Sequence, residues 1–180
     1  SARRYALSTL DDMDAVVERC RQLDLLQQGR FTPRREPCRV DALMNEILAS
    51  CSAPDRLRLA TGPVCDVESD RHLLKIVISN LVDNALKYSA PGSDIDCHIE
   101  RCEGEQQTHI RLSIENQPGP VGLPDPDKLF EKYYRSPHAH QHTGSGLGLY
   151  LVRHLAELLD VRLSYDQVQQ RARFTLWIPA

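Results

Sequence analysis

The sequence predicts an α/β (α+β) two-layer sandwich, with a mostly antiparallel sheet packed on three helices and a separate helix in front. Three observations carry this. The order of periodic segments is helix, strands, helix, hairpin, loop, helix, hairpin, and this is not the regular alternation that builds a doubly wound parallel sheet. Two pairs of alternating apolar and polar runs are each joined by a short polar connection, the pattern of an antiparallel hairpin. With 180 residues, 41% of them apolar and 26% charged, the chain can bury one core and has room for one appendage.

The first segment, 3–28, contains neither Gly nor Pro until its end and reads as a helix. Ala6, Leu10, Met13, Val17 and Cys20 recur at alternating spacings of four and three, while Arg3, Asp11, Asp12, Glu18 and Arg19 take the other face. Such a 3.5-type repeat over about three heptads suits a seam with another helix or a second copy. The competing reading is an amphipathic helix laid on its own domain. Residues 29–37 (GRFTPRREP) follow with one Gly, two Pro and four charges, a linker by composition. The organisation expected is therefore a helical segment at 1–28, a linker at 29–40 and one domain at 41–180.

Within that domain Asp41 is a candidate N-cap for a helix over 42–50. Two short β-like stretches, 56–60 and 64–67, flank Thr61-Gly62-Pro63. A long helix is expected over 70–88, closed by Pro91, which cannot continue it. The runs 94–102 and 108–115 form the first hairpin. The stretch 117–127 holds four Pro and two Gly and must be an irregular surface loop. A short helix is expected around 127–135, then a polar stretch to 145, a helix over 146–159 and a last hairpin of 161–167 with 171–178.

Composition excludes several functions. The 22 basic residues are fewer than the 25 acidic ones, giving a net charge of −3, so there is no basic footprint for nucleic acid. No apolar run reaches the 18 or so residues that span a bilayer, and the sequence opens with no signal-peptide pattern, as expected of a soluble, cytosol-like domain. The six cysteines form no Cys-x-x-Cys pair and read as reduced thiols.

Two elements carry chemistry. On the 70–88 helix, Asn80, Asp83, Asn84 and Lys87 cluster on one arc, opposite the apolar positions. Amide oxygens suit Mg²⁺, a hard cation, and a Lys one turn further on can neutralise a phosphate. The second is Thr143-Gly144-Ser145-Gly146-Leu147-Gly148-Leu149, whose alternate glycines precede a helix. There the backbone can approach a ligand, and the helix aims the positive end of its dipole at an anion. It matches neither a P-loop nor the G-x-G-x-x-G turn.

Taken together, these stretches resemble the sensor histidine kinases of two-component systems. Asn80-Leu-Val-Asp-Asn84-Ala-Leu-Lys87-Tyr88-Ser89 is similar to their N box, Leu129-Phe-Glu-Lys132-Tyr-Tyr-Arg135-Ser to their F box, and Gly144-Ser-Gly-Leu-Gly-Leu149 to their G2 box. The order and spacing agree from about residue 41 onward, and residues 1–28 resemble the second helix of the dimerisation and phosphotransfer region. The gyrase, chaperone and mismatch-repair branches share the glycines but fit the F box and the leading helix less well.

The resemblance implies a histidine-kinase-type ATPase fold, with ATP and Mg²⁺ as cofactors and a role for each matched residue. Asn84 is the expected Mg²⁺ ligand, with Asn80 supporting the phosphate end. Lys87 reaches the phosphates and Tyr88 flanks the adenine. Arg135 and Lys132 bring positive charge from a lid. Thr143, Gly144, Ser145, Gly146, Leu147, Gly148 and Leu149 hold the phosphates. In a full-length kinase the γ-phosphoryl group passes to a His of the dimerisation region, then to an Asp of a response regulator. Such a protein is expected to be a homodimer, with this domain cytoplasmic and an inner-membrane anchor elsewhere.

Two departures stand out. The family's G1 box reads Asp-x-Gly-x-Gly, its Asp accepting a hydrogen bond from the adenine amine, but here the stretch is Ile114-Glu115-Asn116-Gln117-Pro118-Gly119-Pro120. Alignment on Gly119 puts Glu115 at the Asp position, whereas strand alternation favours Asn116. Asn116 is the choice, since its amide oxygen still accepts, though more weakly than a carboxylate. ATP binding is expected, with weakened affinity an open consequence. Second, none of the seven histidines has the context of the phosphoacceptor. The chain therefore reads as a fragment of a longer kinase. The alternative is a degenerate nucleotide-binding or dimerisation module with a regulatory role.

Overall fold

The computed structural model describes residues 2–63, 65–135 and 145–180, with side chains of the first helix described from Met13 onward. Residue 64 of the second expected β stretch, the polar stretch 136–144 with His138, His140 and His142, and the side chains of Ala6 and Leu10 lie outside the described residues.

Helix α1 (Ala2–Gln27) is followed by an extended segment leading to strand β1 (Glu36–Arg39) and helix α2 (Val40–Ser50). A 3₁₀ turn, Pro54–Arg56, leads into β2 (Leu57–Thr61) and β3 (Asp66–Ser69), then α3 (Arg71–Tyr88), β4 (Ile95–Cys102) and β5 (His109–Asn116). The last three elements are α4 (Gly148–Leu158), β6 (Arg162–Val168) and β7 (Arg171–Pro179).

A five-stranded sheet runs in the order β2-β4-β5-β7-β6. Only the β2–β4 pair is parallel, and the other three pairs are antiparallel. Strand β5 alternates strictly: Ile110, Leu112, Ile114 and Asn116 are buried while the residues between them are partly exposed. Its inward face meets Leu73, Leu74, Val77, Ile78, Leu81, Val82 and Ala85 of α3 and Leu151, Val152, Leu155 and Ala156 of α4 in one apolar core. Each of the larger of these side chains contributes about 1.5–3 kcal/mol on leaving water, which fixes the helices to one face of the sheet. The sandwich predicted from sequence is the architecture found.

Several local expectations are corrected. Strand β1 falls inside the stretch read as linker, pairing antiparallel with β3 in a two-stranded sheet. Its four residues bury only Cys38, so hydrophobic alternation gave no signal. Asp41 is not the N-cap of α2. Arg39 occupies that position, and Asp41 sits in the first turn, ion-paired with Arg39. In contrast, Asp70 caps α3, accepting from the Leu73 N–H at 2.9 Å. The short helix expected around 127–135 is a series of turns. Tyr133 there has φ of +64°, a left-handed conformation that no helix continues through.

Helix α1 divides between the two readings of its stripe. Near its C-terminus Gln22 and Leu23 are buried against the domain, whereas Met13 and Val17 are 59% and 66% exposed. All six cysteines are free, with Cys38, Cys65 and Cys97 buried. Among the described residues no helix is long and apolar enough to cross a membrane.

Candidate nucleotide site

The apolar face of α3 lies on the sheet, so its polar arc forms one wall of a cleft. Asn80, Asp83, Asn84, Lys87 and Tyr88 all line it. From Asn80 to Tyr88 the wall extends about 12 Å, at the helical rise of 1.5 Å per residue. The floor comes from the sheet: Asn116 at the end of β5 and, on β7, Ala172 directly opposite it and Phe174 two residues on. The 118–124 loop, Leu129, Tyr134 and Arg135 close one side, and Ser145, Gly146, Gly148 and Leu149 close the other. The cleft encloses about 980 Å³, open mouth included.

Its two ends differ chemically. At the Tyr88 end the chain is stitched to the loop. Gly119 N–H donates to the Tyr88 carbonyl at 2.8 Å, and Ser89 forms a β-bridge with Pro118. Here Asn116 is 3% exposed, and its amide nitrogen donates to the Gln117 carbonyl at 3.1 Å. Pro118, Val121, Pro124, Leu129 and Phe174 make the surroundings apolar. Glu115 points to the opposite face of the sheet and pairs with Arg171 at 3.2 Å. Alternation therefore decides which of the two residues faces the cleft, and it is Asn116.

At the other end α4 begins. Its N-cap, Leu147, supplies no side-chain hydrogen bond, so among the described residues no side chain caps the first N–H groups of the helix, which present partial positive charge. Gly148 sits so close to α3 that a Cβ there would lie 3.3 Å from Asn80 Oδ1. Gly146 has φ of +67°, and a Cβ on it would fall 2.7 Å from the carbonyl carbon of Tyr133. The Tyr133 N–H donates to the Gly146 carbonyl at 3.0 Å. The glycine turn thus clamps the F-box segment, which is anchored in turn by an edge-on contact of Phe130 with Phe174 (6.3 Å between ring centres).

The electrostatics are positive on balance, with Arg19, Lys87 and Arg135 set against Asp83 among the lining residues. Partial burial pushes the Tyr88 hydroxyl above its ordinary value, opposed by the nearby charges of Arg135 and Arg19. Crowding by protein on one side pushes the Asp83 carboxyl up, Arg19 pulling it back. Asp83 nevertheless keeps an exposed edge, so water screens that shift.

Most of the residues singled out from sequence converge here: Asn80, Asn84, Lys87, Tyr88, Asn116, Arg135, Ser145, Gly146, Gly148 and Leu149. Three do not line the cleft. Gly119 secures the loop behind it, and Leu147 is 3% exposed in the core. Lys132 is exposed, its Nζ 5.1 Å from the Tyr133 ring centre. Thr143 and Gly144 lie outside the described residues. Arg19, Ala172 and Phe174 also line the cleft, and sequence alone assigns them no role there. Arg19 sits on what heptad spacing marks as a solvated face, and the β7 residues become visible only once the β5–β7 register is known.

Comparison with known proteins gives a consistent picture. Residues 69–180 match the family described as histidine kinase-, DNA gyrase B-, and HSP90-like ATPase. The probable sensor kinase SilS of Salmonella typhimurium is 29% identical over 175 residues, covering 96% of this chain and 33% of that protein. The chain thus spans about a third of that relative's length. Among solved structures, the histidine kinase AdeS of Acinetobacter baumannii superposes with a TM-score of 0.74 at 23% identity, covering 98% of this chain and 82% of that one. Full-length ShkA, solved in complex with AMPPNP, superposes at 0.70 and 17% identity, covering 99% of this chain and 39% of ShkA. At these identities the structures establish the shared fold.

Proposed function

Because this chain belongs to the histidine kinase-, DNA gyrase B- and HSP90-like ATPase family, we propose that its cleft binds ATP with Mg²⁺ and positions the γ-phosphoryl group for transfer to a histidine. The observation that carries this reading is the placement of a buried amide at an apolar end and, at the other, of a helix N-terminus beside the Arg19 guanidinium, with Lys87 and Arg135 lining the cleft as well. A planar, weakly polar base suits the first end and a polyanion the second.

In this reading Asn116 accepts from the adenine amine and Tyr88 flanks the ring. Lys87 and Arg135 draw the phosphates, and Ser145 with the backbone of Gly146, Gly148 and Leu149 holds them at the start of α4. The donor chemistry at the α3 wall fits Mg²⁺, because Asn80 and Asn84 offer amide oxygens and no thiol or imidazole lines the cleft among the described residues. Asn84 is assigned as its ligand, with Asn80 supporting the phosphate end. When bound, the ion neutralises charge on the phosphate oxygens. Lys132 joins the lid's positive charge only if the F-box segment rearranges.

The transfer breaks the bond between the γ-phosphorus and its bridging oxygen, forms a bond to a ring nitrogen of the acceptor histidine, and leaves ADP. Protein groups contribute by orienting and neutralising, with little covalent work. The acceptor belongs to the dimerisation region of the longer protein, and a response regulator takes the phosphoryl group next. That protein is a homodimer in this reading, with this domain on the cytoplasmic side of a membrane.

The test supplies labelled ATP and Mg²⁺ to this chain, together with a separate dimerisation region of the full-length protein carrying the acceptor histidine. Label should appear on that region and fall by at least about a hundredfold in an Asn84→Asp variant that still folds. A chain that binds nucleotide but transfers no label under these conditions would contradict the transfer reading and favour the regulatory module.

A further inference from the structure

Arg19 belongs to α1, outside the stretch 69–180 that carries the family match, yet it lines the cleft. Its Nε donates to Asn80 Oδ1 at 3.2 Å, and that is its one hydrogen bond among the described residues. A Cβ on Gly148 would lie 3.9 Å from the same Nε, so the guanidinium stands beside the start of α4, which no described side chain caps. Its charge is felt by Asp83 and by the Tyr88 hydroxyl.

An anion seated on the α4 N-terminus would therefore meet a guanidinium whose two Nη groups have no hydrogen-bond partner among the described residues. That planar fork matches two phosphate oxygens at once, as no lysine can. We propose that Arg19 is a phosphate-binding residue delivered to the nucleotide site by the helix that precedes the ATPase fold. The inference rests on the nucleotide reading above and adds a consequence to it. Nucleotide and α1 favour each other's seating, because each supplies a partner that the other uses. Among the described side chains of α1, Arg19, Gln22, Leu23 and Leu26 meet the domain, while Met13 and Val17 face solvent.

The experiment titrates a non-hydrolysable ATP analogue, ADP and adenosine, with Mg²⁺, into the unaltered chain and into Arg19→Gln and Arg19→Lys variants. Matching thermal unfolding without nucleotide checks that the variants fold alike. Arg19→Gln should weaken the ATP analogue roughly tenfold, ADP less and adenosine not at all, with Arg19→Lys in between. Unchanged affinities in Arg19→Gln would overturn the proposal, leaving the contact with Asn80 structural only. Tighter binding in Arg19→Gln would overturn it in the opposite sense, since Arg19 would then be a plug that nucleotide displaces. If the unaltered chain binds none of the three, the nucleotide reading itself fails and this inference goes with it.

Discussion

A side chain's role in this protein depends on which way a few backbone atoms let it face. At Gly146 the left-handed φ and the 2.7 Å approach to Tyr133 leave no space for a methyl group. Gly146→Ala should cost about 2 kcal/mol, from the left-handed backbone and from prising apart the turn and the F-box segment. Denaturant unfolding reads the loss, and nucleotide affinity should fall with it, because both segments line the cleft. A stability equal to that of the unaltered chain would mean the clamp has been misjudged. Other residues were legible beforehand for simple reasons. Two-residue alternation along β5 was enough to send Asn116 inward and Glu115 outward. Arg19 was not legible, since a charge on the polar face of a heptad helix looks solvated until the helix is docked.

Among the elements, those with strong periodicity were readable and those held by tertiary contacts were not. Helices α3 and α4 and both hairpins announce themselves through apolar spacing that the core then uses. Strand β1 has one buried residue and exists by pairing with β3, while the F-box segment follows the anchor of Phe130 on Phe174 and not its own helical tendency. The end of α3 shows how such contacts fix a site. From the 3₁₀ turn, Arg56 donates to the Ser93 carbonyl at 2.9 Å, to Ser89 Oγ at 2.5 Å and to the Ala90 carbonyl at 3.2 Å. Those bonds hold the 89–93 turn, whose Ser89 bridges to Pro118 behind the cleft. Arg56→Ala should cost about 2 kcal/mol, since it strands acceptors next to a partly buried loop. Hydrogen exchange should show the added opening concentrated at 89–93 and 117–119. Destabilisation spread evenly over the sheet would argue against this local role.

At the scale of the whole molecule, the sequence revealed class and family before geometry, because three boxes in register constrain a two-layer fold strongly. The sheet order, the single parallel pair and the cleft's two chemically distinct ends needed the structure, since they depend on long-range register. The same sandwich explains why binding and stability should be linked. The cleft's walls, α3 and α4, share one core with its floor, so a ligand bridging them stabilises the folded state by mass action.

The central claim is that this cleft is a Mg²⁺-dependent nucleotide site despite an amide where the family carries a carboxylate. Calorimetric titration of a non-hydrolysable ATP analogue, with Mg²⁺ and then with the metal chelated, tests it most directly. The account predicts saturable one-site binding with Mg²⁺, weakened at least about tenfold when the metal is removed. No heat of binding at millimolar analogue, from a chain shown to be folded, would contradict it and would mean that Asn116 cannot stand in for the missing acid.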